Sequence, residues 1–167
     1  MKTTIDEPPG EPSPFPWKNI LTPTDFSAPS KQAVATAVRL AEQCGAKITL
    51  LHVIHLPAAH PIEAALNVDS IMAAARESLE EMAREIPAAL LQEKLVRLEP
   101  QGTVQGIIAV ARELSIDLIV VATHGHGRLE RALLGSTAEK VVRHAPCPVL
   151  VVHKKEVLSQ SHQTPTK

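Results

Sequence analysis

Two glycines followed by two hydroxyl residues form the clearest chemical feature of this chain. Gly125 and Gly135 are separated by nine residues, and Ser136 and Thr137 come directly after the second glycine. A helical pattern with Glu139 in its first turn begins here, with Ser136 or Thr137 available as its N-cap. Glycine lets a ligand approach the backbone closely, and the N–H groups of a helix N-terminus favour an anion. The spacing therefore predicts a phosphate site.

A second polar group follows an apolar run near the start of the chain. Residues 18–23 are predicted to form a strand, and Asp25 comes directly after it. A carboxylate at this point can accept hydrogen bonds from ribose hydroxyls or from the amine of a base. It can equally stabilise a turn or cap the helix that follows. The residues alone leave both roles open.

Strands and helices alternate along the chain and must position these groups. Short apolar runs predict strands at 18–23, 47–54, 95–98, 117–122 and 149–152. Helical spacing and capping residues predict helices from Ser27 to Gly45, from Asp69 or Ser70 to about Ile86, from Thr103 to Leu114, and from Ser136 to just before Pro146. Residues 55–68 read as an irregular or partly helical connection, and residues 88–92 are compatible with a further helical turn.

This alternation indicates an α/β fold with one open, five-stranded parallel sheet and helices on both faces. The predicted strands are nearly continuous apolar runs, as expected of strands that are buried on both faces. Such a sheet is Rossmann-like. Ligands of such sheets sit beyond the carboxyl ends of the strands, where the strand order reverses.

The stretch from residue 117 to 152 resembles the nucleotide-binding branch of the universal stress protein family. That branch carries glycine, two residues, glycine, nine residues, glycine, and then serine or threonine. The matching positions here are Ala122, Gly125, Gly135 and Ser136. Ala122 departs from the pattern, because the family has glycine there. The resemblance extends from Trp17 to Lys154, which is nearly the whole chain.

The resemblance implies the strand order 3-2-1-4-5 of the adenine nucleotide alpha hydrolase-like folds, which places Asp25 beside residues 123–127. It also implies a set of nucleotide-binding residues. These are Pro23, Thr24 and Asp25 on the adenosine side, Ile48 against the base, Val121 and Ala122 at the end of strand 4, and Gly125, Gly135, Ser136 and Thr137 on the phosphate side.

The resemblance implies a stress-response sensor or adaptor that binds ATP or AMP, with Mg²⁺ held through the phosphates. Two alternatives stay open. One is a slow ATPase or adenylyl-transfer enzyme, for which only His124, His126 and Arg128 offer themselves near the phosphates. The other is a nucleotide-free dimeric structural module, which Ala122 favours. No catalytic residue is assigned, and no robust turnover is expected.

The predicted fifth strand is an apolar edge. Residues 148–152 run Pro148-Val149-Leu150-Val151-Val152, and an apolar edge strand tends to be paired or covered. The resemblance implies antiparallel pairing with the same strand of a second copy. We therefore expect a homodimer with a two-fold contact.

Composition limits the remaining possibilities. The 167 residues suffice for one domain, expected at 17–155 between disordered extensions at 1–16 and 156–167. The net charge of −1 gives no electrostatic reason for nucleic acid or membrane as a partner. Two cysteines and no long apolar run favour reduced thiols in a soluble, cytoplasmic protein. His52 and His55 would point to opposite faces of a strand, so no metal site is expected.

Overall fold

The computed structural model describes residues 16–56, 61–123 and 135–153. The predicted extensions at 1–16 and 156–167 lie outside these ranges, apart from Pro16. Five strands alternate with four helices along the described residues. In chain order they are β1 (Asn19–Pro23), α1 (Ala28–Cys44), β2 (Lys47–His55), α2 (Pro61–Ala83), β3 (Leu91–Glu99), α3 (Thr103–Glu113), β4 (Leu118–Ala122), α4 (Ser136–His144) and β5 (Val149–Val152).

The five strands form one parallel sheet in the order β3-β2-β1-β4-β5, which confirms the predicted fold class and topology. β1 lies at the centre, where Ile20 pairs with Ile48 of β2 and with Leu118 of β4. The chain moves outward from β1 to β2 and β3, and then returns to β4 on the other side of β1. The connections that follow β1 and β4 therefore diverge, and a crevice forms at the carboxyl edge between them.

Aliphatic side chains fill both faces of the sheet. Ile20 belongs to a core that packs against α1 and α2, whereas the next residue, Leu21, belongs to a core that packs against α3 and α4. Leu50 and Leu51 of β2 divide between the two cores in the same way. This is the two-sided burial expected of a parallel sheet covered by helices on both faces.

Helix α1 begins and ends where the sequence predicts. The side chain of Ser27 accepts a hydrogen bond from the backbone N–H of Ser30 at 3.3 Å, and Pro29 lies in the first turn. Gly45 ends the helix in the left-handed region at φ 64°, which glycine adopts without steric cost. These two caps fix the length of α1, which packs directly on the sheet.

Helix α2 and strand β3 differ from their predictions. α2 begins at Pro61, so Asp69 and Ser70 are exposed residues within the helix rather than its caps. β3 begins at Leu91 rather than residue 95, and residues 87–90 form a turn in which Leu90 N–H bonds to the Pro87 carbonyl at 2.8 Å. The first half of β3 is polar and exposed, which an edge strand tolerates, so an apolar pattern does not mark it as a strand.

None of the helices in the described ranges is both long enough and apolar enough to cross a membrane.

The two cysteines are not paired with each other. Cys44 is buried at the end of α1, and Cys147 is half-buried just before β5. Burial, together with the nearby Asp117 carboxylate, raises the pKa of the Cys147 thiol above its usual value. This thiol therefore stays protonated to a higher pH than a free cysteine, which argues against a nucleophile at this position.

Gly106 of α3 provides a test of the packing between this helix and β2. A Cβ atom at this position would lie 2.7 Å from Cγ1 of Val53 and 3.3 Å from Cβ of Glu99. Alanine improves helix propensity by about 1 kcal/mol, but overpacking costs about 1–3 kcal/mol. We expect Gly106→Ala to lower the free energy of unfolding by about 1 kcal/mol in urea denaturation.

The control is the same substitution in a Val53→Ala background, where the shortest of these contacts is absent. There we expect Gly106→Ala to be neutral or stabilising relative to Val53→Ala alone. If Gly106→Ala stabilises the protein in which Val53 is unchanged, the close packing of α3 on β2 is contradicted.

Candidate functional site

A cavity of about 450 Å³ opens at the carboxyl edge of the sheet. It lies at the point where the strand order reverses, between the ends of β1 and β4, and it is covered by the N-termini of α3 and α4. The residues that line it are Pro23, Thr24, Asp25, Ser30, His52, Val53, Thr103, Ile107, Val121, Ala122, Thr123, Gly135, Ser136, Thr137 and Ala138.

The N-terminus of α4 forms one wall of the cavity. Gly135 is the N-cap, and Ser136 is the first helical residue, so neither Ser136 nor Thr137 is the cap that the sequence suggests. No side chain in the described part of the chain caps this helix. The Gly135 N–H donates to the Thr123 carbonyl at 2.7 Å, which ties the start of the helix to the end of β4. The first N–H groups of α4 lie at the positive end of the helix dipole and line the cavity with no cap from the described side chains.

The N-terminus of α3 reaches the same cavity. Gly102 is its N-cap at φ 113°, and Thr103, predicted to be the cap, is instead the first helical residue. Within the described ranges no side chain caps α3 either. Two uncapped helix N-termini thus meet one cavity, which makes its potential favourable to an anion.

The turn between β1 and α1 forms the opposite wall. Oδ1 of Asp25 accepts a hydrogen bond from Ser27 N–H at 3.1 Å and from the Ser27 hydroxyl at 2.5 Å. The Thr24 hydroxyl lies 3.0 Å from the Ser30 hydroxyl and accepts from Phe26 N–H at 3.0 Å. The hydroxyl of Thr24 is therefore committed to the turn, while Asp25 both braces the turn and faces the cavity.

The end of β2 supplies the floor between these walls. Val53 is 8% exposed and lines the cavity, and His52 beside it places Nδ1 2.8 Å from the Thr24 carbonyl oxygen. Ile107 of α3 and Val121 of β4 add apolar surface. The cavity thus combines an apolar floor with polar walls, as small-molecule sites generally do.

The structure brings most of the predicted site residues together. Eight of them line the cavity, namely Pro23, Thr24, Asp25, Val121, Ala122, Gly135, Ser136 and Thr137. Gly125, the remaining glycine of the predicted phosphate loop, lies outside the described residues. His124, His126 and Arg128 lie outside them as well.

Ile48, predicted to lie against the base, is not among the residues that line this cavity. Ile48 is fully buried in the core beneath α1, and it is the second residue of β2. The cavity lies at the other end of this strand, about 16 Å away at about 3.3 Å per residue. Val53, five residues further along, does line the cavity.

Sequence reasoning missed several lining residues. Thr123 belongs to the stretch expected beside Asp25 but was not assigned to the site; it follows the last residue of β4 and is 2% exposed. Thr103 begins α3, and Val53 is near the carboxyl end of β2. Each of these positions lies at the carboxyl edge, so the edge rule could have found them once the strand ends were known. Within the described ranges, no group of three or more potential metal ligands is present.

Comparisons with known proteins agree with one another. The model of the Universal stress protein family matches residues 16–153. Universal stress protein A homolog 1 of Coxiella burnetii is 35% identical over 146 residues, which cover 84% of this chain and 99% of that protein. The solved universal stress protein UspA from Lactobacillus plantarum is 29% identical, has a TM-score of 0.66, and is matched over 81% of this chain and 97% of its own. A universal stress protein solved in complex with cAMP is 27% identical, has a TM-score of 0.58, and is matched over 82% of this chain and 97% of its own.

Proposed function

The chain belongs to the universal stress protein family, and from this premise we propose that it binds an adenine nucleotide, ATP or AMP, in the cavity at the carboxyl edge. The observation that carries the proposal is the N-terminus of α4, which no side chain of the described residues caps and which opens into a cavity at the point where the strand order reverses. The bound nucleotide would set the conformation through which the protein acts as a sensor or adaptor in a stress response.

The phosphates would lie against the start of α4. Gly135 has no side chain to separate a phosphate from the backbone, and the hydroxyls of Ser136 and Thr137 add donors. Hydrogen bonds to charged groups contribute about 1.5–3 kcal/mol each. Three of them, together with contacts to the adenosine, suffice for micromolar affinity, which corresponds to about 8 kcal/mol. Gly125 stays a predicted member of this phosphate site.

The adenosine would occupy the side formed by the β1–α1 turn. Asp25 can accept hydrogen bonds from ribose hydroxyls, and Val53, Ile107 and Val121 offer an apolar surface to the base. The volume of about 450 Å³ falls within the range of small-molecule sites. The relative that was solved with cAMP supports an adenine nucleotide over other anions.

Binding rather than turnover fits the groups that line the cavity. Among its described lining residues, Asp25 and His52 can titrate, and each is engaged with the protein, Asp25 with Ser27 and His52 with Thr24. Mg²⁺ would be held through the phosphates of the nucleotide. A sensor requires only that the bound and free states differ.

Gly135→Val tests the phosphate position. The backbone of Gly135 has φ −68° and ψ 151°, which valine adopts readily, so the substitution adds bulk without forcing the backbone. We expect ATP affinity in titration calorimetry to fall about 100-fold, which corresponds to the loss of about two charge-assisted hydrogen bonds. Because valine is a poorer N-cap than glycine, the free energy of unfolding should fall by about 1 kcal/mol, which leaves the protein folded.

Ala28→Val is the matched control, because Ala28 begins α1, is exposed, and does not line the cavity. ATP that binds equally to parent and Gly135→Val would place the phosphates elsewhere. A parent that binds neither ATP nor AMP, and from which mass spectrometry releases no nucleotide, would favour the nucleotide-free module.

A homodimer through β5 is the second part of the proposal, and the two sheet edges support it by their contrast. β3 carries charged groups that bond to neighbouring helices, with Lys94 paired to Glu80 and Arg97 paired to Glu113 at 2.5 Å. β5 has the sequence VLVV, and Leu150 is 37% exposed. Charged edges resist pairing, whereas bare apolar edges invite it. We therefore propose that β5 pairs with β5 of a second copy.

Leu150→Lys tests this interface. A charge on β5 should prevent pairing while the monomer stays folded, because the replaced side chain is partly exposed. We expect light scattering after size exclusion to give twice the chain mass for the parent and the chain mass for the variant. Leu98→Lys is the matched control, since Leu98 is 36% exposed on the other edge strand, β3, and should leave the dimer intact. A parent of single-chain mass at micromolar concentration would contradict the proposal.

A further inference from the structure

Phe26 has a backbone conformation that side chains other than glycine rarely adopt. Its φ is 65°, and it follows Asp25 directly in the turn between β1 and α1. Such a conformation persists only where neighbouring contacts hold it. Because Asp25 is the carboxylate that faces the cavity, the contacts that hold Phe26 also determine where this carboxylate lies.

His52 supplies two of these contacts from a neighbouring strand. Its Nδ1 lies 2.8 Å from the Thr24 carbonyl oxygen, and its ring lies against the ring of Phe26 with a centroid separation of 4.4 Å. The third contact is internal to the turn, where Phe26 N–H donates to the Thr24 hydroxyl at 3.0 Å. His52 therefore binds the residues on both sides of Asp25.

The hydrogen bond defines which nitrogen of His52 carries a proton. A carbonyl oxygen can only accept, so Nδ1 must be the donor. The Thr24 N–H in turn donates to the Leu51 carbonyl at 2.8 Å, one residue before His52. The turn is thus fastened to the end of β2 by a backbone hydrogen bond and by a side-chain hydrogen bond.

We propose that His52 is a positioning residue, which holds the β1–α1 turn in its strained form so that Asp25 meets the ribose of the bound nucleotide. This inference rests on the proposed adenine-nucleotide function and assigns a role to a side chain within that site. His52 acts through Thr24 and Phe26. The phosphate end of the cavity, at α4, does not depend on it.

Three substitutions separate positioning from direct contact. His52→Leu removes the donor, His52→Asn keeps an amide N–H close to the place of Nδ1, and His52→Gln places its amide closer to the place of Nε2. His55→Leu is the matched control, because His55 lies on the same strand, is exposed, and does not line the cavity.

Two measurements are made on each of these variants. Calorimetry with adenosine and with inorganic pyrophosphate separates the two ends of the cavity. Amide hydrogen exchange at Ser27, whose N–H donates to Asp25 Oδ1, reports the turn without any ligand. We expect His52→Leu to weaken adenosine about 10-fold, to leave pyrophosphate unchanged, and to speed Ser27 exchange about 10-fold. His52→Asn should restore both properties, and His55→Leu should alter neither.

The outcomes that would contradict the positioning role of His52 differ from the one that would contradict the proposed function. Rescue by His52→Gln instead of His52→Asn would show direct ligand contact through Nε2 and overturn the positioning role. Unchanged Ser27 exchange in His52→Leu, with adenosine bound normally, would overturn it as well while the proposed function stands. A third result is that the protein binds no adenine compound, while His52→Leu speeds Ser27 exchange and His52→Asn returns it to the parental rate. This result would overturn the proposed function but leave the role of His52 in the turn.

Discussion

The reversal of strand order between β1 and β4 is the constraint on which the rest of this structure depends. Every strand is parallel, so all carboxyl ends lie at one edge, but the chain leaves β1 in one direction and β4 in the other. α1 passes to one face of the sheet, whereas α4 passes to the other. Because the two connections go to opposite faces of the sheet, a gap remains between them at the carboxyl ends of β1 and β4. The cavity lies in this gap.

The helices that begin at this edge differ in whether a side chain caps their N-terminus. α1 is closed by the hydroxyl of Ser27, and this hydroxyl also donates to Asp25. α3 and α4 begin at Gly102 and Gly135, which have no side chains to close them. A cap typically contributes about 1 kcal/mol to helix stability, so the sequence forgoes this at two helices that share one cavity. No side chain of the described residues bonds to the first N–H groups of these two helices, and groups of this kind favour an anion.

The sequence predicts the parts of this arrangement that carry local signals. Ser27, Pro29 and Gly45 mark α1 because capping is decided by neighbouring residues, and the alternation of strands and helices predicts a parallel sheet. The prediction that Thr103 caps α3 is wrong, since Gly102 adopts φ 113° and takes the N-cap position itself. The polar start of β3 was missed because only its tertiary position at the edge makes it a strand.

The position of Ile48 has a different physical origin. β2 spans Lys47–His55, so Ile48 is its second residue and lies at the amino end of the strand, level with Ile20 of β1. In a parallel sheet the cavity lies beyond the carboxyl ends, and the predicted bounds of this strand already place Ile48 at the opposite end. The residues of β2 that reach the cavity are therefore those near its carboxyl end, His52 and Val53.

The departure of Ala122 from the glycine motif is explained by the side of the sheet to which this residue points. Along β4, Ile119 packs in the core beneath α3 and α4, whereas Val120 and Ala122 pack in the core beneath α1. Successive side chains of a strand alternate between faces, so Val121 and Thr123 point toward α4, and the methyl group of Ala122 points the other way. Ala122 is 9% exposed, and its methyl group contributes to the core on the α1 side. We therefore expect alanine at this position to take little room from a ligand that lies against α4.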